Sequence, residues 1–148
     1  MKAALLAVVS AALLLGAGCD TVDLGAPPAD VNACMPGQMW FVDQIWPNFL
    51  GQDYNGKHCY DSACHGTGSK TPLTLVNPGE PATFPLPDDW ANDYVQASQE
   101  MNCSDVLDSP LLLLPEGVQV HGGGQLIDPN SQQAMDTQML LETWVTSP

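Results

Sequence analysis

The stretch that most restricts how this chain can fold is "KHCYDSACHGTGS", residues 57–69, which gathers Cys59, Cys64 and His65. Whatever they do, two sulfurs and an imidazole converge here, so the backbone must turn back on itself. Three chemistries fit the letters. Two thiols with a histidine directly after the second suit covalent haem attachment: the thiols reach the two vinyl groups and the imidazole lies beneath the iron. The common spacing has two residues between the cysteines. Here residues 60–63 make four, and a looped-out pair still leaves both sulfurs and the histidine in place. A disulfide between Cys59 and Cys64 would instead make His65 incidental. A zinc site could draw on Cys59, Cys64, His65 and either His58 or His121. Adjacent ligands such as Cys64 and His65 suit a tetrahedron poorly, however, and no Cys-x-x-Cys pair exists elsewhere.

The other cysteines depend on the N-terminus. Lys2 is followed by an apolar run over residues 3–15 and then by "GAGCD". That run is shorter than the roughly 20 residues of a membrane span and has the layout of a secretory signal. "LLLGAGC" resembles a bacterial lipoprotein signal. The resemblance implies cleavage after residue 18, lipidation of Cys19, and attachment to a membrane of the bacterial envelope through acyl chains alone. Residues 19–36 then read as a flexible, proline-bearing tether. With Cys19 lipidated, Cys34, Cys59, Cys64 and Cys103 remain in an oxidising compartment. Either Cys59 and Cys64 hold a haem while Cys34 pairs with Cys103, or all four form two disulfides.

Charge narrows the partners. The chain carries 17 acidic residues against three lysines and no arginine, a net −14, and Lys2 lies in the signal. A surface left with Lys57 and Lys70 repels phosphate backbones, so nucleic acid is not expected as a partner. Partners with basic surfaces are favoured, and such contacts weaken with salt.

The rest reads as a small, loop-rich, mainly α domain. "QMWFVDQIWPNFL" (38–50) has Trp40, Phe41, Ile45 and Phe49 at helical spacing, with Pro47 expected to delay or end the helix. Residues 66–89 hold five prolines and read as a long loop. "PDDWANDYVQASQEM" (87–101) predicts an amphipathic helix capped by Asp88 or Asp89, with Trp90, Tyr94, Ala97 and Met101 facing the core. Ser109, Pro110 and Pro115 mark the start and stop of a short buried leucine turn. "HGGGQ" (121–125) excludes regular structure. A last helix is expected from Ser131, with Met135, Met139, Leu140 and Trp144 on its buried stripe.

In order and spacing these segments resemble c-type cytochromes. "FVDQIWPNFL" before "CYDSACHG" looks like the opening of such a domain. "DSPLLLLPEGVQVHGGGQLIDPNSQQAMDTQMLLETWV" is similar to planctomycete-type cytochrome c-like domains, which carry Ser-x-Leu-Leu, then His-Gly-Gly, then a last helix ending in Trp-Ile or Trp-Val. The resemblance covers roughly residues 38–146 and implies a cytochrome c-like domain over 37–148. It assigns covalent haem c to Cys59 and Cys64, the proximal iron ligand to His65 and the distal ligand to His121, with Met101 as the alternative. His58 has no role in it. The implied function is single-electron transfer between redox proteins in the cell envelope, rather than catalysis. The alternative is a haem-free, disulfide-stapled structural or binding lipoprotein. A haem peroxidase would need an acid–base companion for His121, and the sequence offers none.

Overall fold

The computed structural model describes residues 35–147. The signal at 1–18, Cys19, most of the tether and Cys34 lie outside them. Helix α1, Gln38–Trp40, runs without a break into a π-helical continuation, Phe41–Leu50, that contains Pro47. The expected break at Pro47 does not occur. Proline has no N–H for the usual bond to the carbonyl four residues back, and the chain widens to the i→i−5 register instead. Gly51 N–H closes the segment on the Trp46 carbonyl at 2.7 Å. Phe41, Ile45, Trp46, Phe49 and Leu50 turn inward from it.

Helix α2, Asp88–Gln99, buries the expected face: Trp90, Tyr94, Ala97 and, just beyond its end, Met101. Its N-cap is Pro87, not an aspartate. Asp88 and Asp89 sit in the first turn, where their charge favours the helix dipole. Helix α3, Pro110–Leu113, starts on Ser109 with proline in its first turn. Helix α4, Gln132–Thr146, is capped by the Ser131 hydroxyl, which accepts from Ala134 N–H. Its buried residues are Ala134, Thr137, Leu141 and Trp144. Met135 and Met139, expected in the core, are about half exposed, at 50% and 54%. The buried face runs through Ala134, Thr137, Leu141 and Trp144, so of the expected stripe only Trp144 is fully buried and the methionines face out. Among the described residues there is no strand, and no helix is long and apolar enough to cross a membrane.

The core is an aromatic cluster where the first helix, α2 and α4 meet. Phe41, with no exposed surface, lies 5.6 Å from Trp144, 5.8 Å from Tyr94 and 6.4 Å from Trp90, centroid to centroid. Each such pair contributes roughly 0.5–1.5 kcal/mol beyond simple burial. The polar ends are matched as well: Trp144 Nε1 donates to the Gly37 carbonyl at 3.0 Å and the Tyr94 hydroxyl to Pro36 at 2.7 Å. Long loops, 51–87 and 114–131, carry the chain around the opposite side.

Candidate cofactor site

The spacer between the cysteines folds on itself. Asp61 is its hub: the backbone N–H groups of Cys64 and Gly66 both donate to the Asp61 carbonyl at 2.8 Å, and its carboxylate accepts from His58 N–H at 2.7 Å. His65 N–H then reaches back to the Cys59 carbonyl at 2.9 Å. The two extra residues are absorbed in this turn, which returns Cys64 and His65 to the neighbourhood of Cys59. Gly66 is essential to it, because a Cβ there would stand 2.3 Å from the Tyr60 carbonyl oxygen. No side chain fits in that space.

Cys59 and Cys64 are both free thiols, and Cys103 is disulfide-bonded. Of the two cysteine partitions, the structure therefore has the one that leaves the motif's thiols unpaired. The other half of the Cys103 bond lies outside the described residues, as does its expected partner, Cys34. Burial, with Cys64 adding to it, pushes the Cys59 thiol up to about 12.

His65 and His121 come together from opposite loops. His65 Nδ1 lies 3.2 Å from the Leu73 carbonyl and 3.1 Å from the Thr71 hydroxyl, which itself donates to Leu73 at 2.6 Å. His121 Nδ1 lies 3.0 Å from the Gly124 carbonyl, within the glycine turn. A carbonyl only accepts, so each ring carries its proton on Nδ1 and leaves Nε2 bare. The two Nε2 atoms are 3.5 Å apart and the ring planes only 14° from parallel. The centroids are 5.7 Å apart, so the nitrogens lie between the rings and point at one another. Two lone pairs held head to head repel unless something electropositive lies between them. Burial holds His65 below the ordinary histidine value, with His121 pushing the same way and the Leu73 bond opposing.

The surroundings suit a large flat apolar group. The cavity opens to solvent, and the empty space out to its mouth is about 670 Å³. Phe49, Leu50, Leu73, Leu111, Leu114 and Leu126 form its apolar walls, and Cys59, Cys64, His65 and His121 all face it. Two imidazoles are too few to hold a bare ion. Among the described residues, no group of three or more His, Cys, Asp or Glu is arranged for a metal. Two imidazoles suit a group that brings metal ligands of its own: His65 and His121 would hold a haem, which would supply one-electron chemistry. The residues fit haem.

Other expectations fare unevenly. Met101 is 1% exposed and packed in the aromatic core, and it does not line the cavity. His58, read as having no role, does line it beside Lys57, stacked on Tyr60 at 4.8 Å. Tyr60 in turn stacks on Trp46 at 5.9 Å, tying the spacer to the core. Sequence reading passed over Thr71 and the carbonyls of Leu73 and Gly124, because a backbone oxygen carries no letter of its own. It also passed over Glu100, a half-buried wall residue whose acid burial raises. No family model, curated protein or solved structure matches this chain.

Proposed function

We propose that this protein is a lipid-anchored monohaem c-type cytochrome that moves single electrons between redox proteins of the bacterial cell envelope. The observation that carries this reading is the pair of bare Nε2 atoms aimed at each other across 3.5 Å, over an apolar cavity lined by two free thiols. Cys59 and Cys64 would hold the haem by thioether bonds, with His65 and His121 on its two faces. The haem supplies the reversible one-electron change at iron.

The chain's own work is to prepare that place. The carbonyls of Leu73 and Gly124 keep the protons on Nδ1, which makes each Nε2 the donor atom and raises its basicity. Phe49, Leu50 and Leu111 keep water from the apolar face of the cavity. Lys57, on the cavity wall, is the cation placed to meet a carboxylate there, in the absence of any arginine. The acidic surface favours docking of basic redox partners. Cys19, if lipidated, keeps the domain at the membrane through its tether.

Producing the chain alongside a cytochrome c maturation system and then denaturing it tests this reading. The expected result is a haem spectrum that stays with the unfolded polypeptide, and attachment that fails in the double variant Cys59→Ser, Cys64→Ser. A colourless wild-type chain, or one whose haem leaves on denaturation, would overturn the proposal.

A further inference from the structure

His65 is held by a strap, residues 73–76, and the strap is bonded on both edges. On one edge Leu73 offers its carbonyl to His65 Nδ1, and Leu75 N–H donates to the His65 carbonyl at 2.7 Å. On the other edge the bonds go to α2. Thr74 N–H donates to Gln96 Oε1 at 3.2 Å, the Thr74 carbonyl accepts from Asn92 Nδ2 at 3.2 Å, and Val76 N–H donates to Asp93 Oδ1 at 2.9 Å. Residues 73 and 75 thus face the histidine while 74 and 76 face the helix, the alternation of an extended strand. Slipping this ribbon by one residue would exchange its edges and take the Leu73 carbonyl away from Nδ1. Burial of Leu73 and Leu75 resists that slip, and the side chains of α2 add to it by bonding the other edge.

Asp93 stands out among them. It has no exposed surface, and its second oxygen, Oδ2, has no hydrogen-bond partner. A buried carboxyl with one oxygen unmatched costs stability, and burial drives its proton affinity up, to a pKa of about 7. Packing alone does not explain such a residue, whereas the bond to Val76 gives it a task. We propose that Asp93, with Asn92 and Gln96, is a positioning residue for His65: it fixes the register of the strap and so keeps the Leu73 carbonyl on the imidazole Nδ1–H. The proposal rests on His65 being the cofactor ligand, since the proton fixed at Nδ1 is what leaves Nε2 free to bind.

Histidine-ring nitrogen spectra of the haem-free full chain test the positioning, and the midpoint potential of the haem-loaded protein tests its consequence. In wild type the His65 ring gives a single Nδ1–H tautomer with a slowly exchanging proton. Asp93→Ala is expected to lose that signal and to raise the potential, as the axial imidazole becomes a poorer donor to oxidised iron. Asp93→Asn keeps an acceptor for Val76 and restores both. If Asp93→Ala does not fold, Gln96→Ala, which removes a single bond to Thr74, is expected to shift the same two readouts in the same direction, by less. A variant that melts earlier while its ring spectrum and potential match wild type would overturn the proposal. A chain that takes up no haem but still loses the Nδ1–H signal in Asp93→Ala would sink the cytochrome reading and leave the positioning intact.

Discussion

The two sides of this molecule are built on different plans. On one side, three helices lock Phe41, Trp90, Tyr94 and Trp144 into an aromatic core, with side chains recurring at helical intervals. On the other, loops bring Cys59, Cys64, His65 and His121 around a cavity, and their geometry is set by backbone carbonyls, one glycine and a strap. The first side is energy stored in side-chain contact. The second is precision held by hydrogen bonds above apolar walls. Damage to the first should therefore appear in stability, and damage to the second in cofactor chemistry.

Trp144→Ala should break the core side outright. It removes a fully buried indole, its bond to Gly37 and its contact with Phe41, and a loss of about 3–5 kcal/mol is expected in urea unfolding. Gly66→Ala strikes the loop side. A Cβ placed 2.3 Å from a backbone oxygen forces the spacer turn open, at a cost of about 1–3 kcal/mol. It should also misplace Cys64 and His65, so haem attachment falls far more than the unfolding midpoint does.

The third test lies on the seam between the two sides. Asp93 titrates near 7 when folded and at its ordinary 3.8 when unfolded. Between those values the folded protein keeps a proton that the unfolded chain gives up, so stability falls as pH rises through this window and levels off above 7. Comparing pH 5 with pH 8, wild type should lose about 2–3 kcal/mol relative to Asp93→Asn. Parallel pH profiles for the two proteins would show that Asp93 titrates normally.

Legibility from sequence follows the same division. The α2 face of Trp90, Tyr94, Ala97 and Met101 was readable because side-chain period and burial coincide there. Ser131 was readable because capping is local, and the Ser109–Pro110 start because proline suits a first turn, although the Ser109 hydroxyl accepts from Asn102 N–H rather than capping the helix. The orientation of α4 was readable only at Trp144: the expected stripe through Met135, Met139 and Leu140 looks as apolar as the true one through Ala134, Thr137 and Leu141, and only packing against the first helix separates them. Pro47 misled because a widened helix removes the bond that proline would break. At the site, the four side chains facing the cavity were legible as letters. What orients them was not, since the acceptors at Leu73 and Gly124 are main-chain atoms, and Asp93 acts across a strap distant in sequence. The smallest prediction follows from α4: Met139→Gln should change stability by no more than about 0.5 kcal/mol, whereas a core methionine there would cost several times that.

Whether His65 and His121 share one iron is measured directly by the visible and electron-spin spectra of the haem-loaded protein. Wild type should be low-spin in both oxidation states, and His121→Ala should become high-spin or bind an added ligand in the place it leaves. A His121→Ala protein that keeps the wild-type low-spin spectrum would contradict the account.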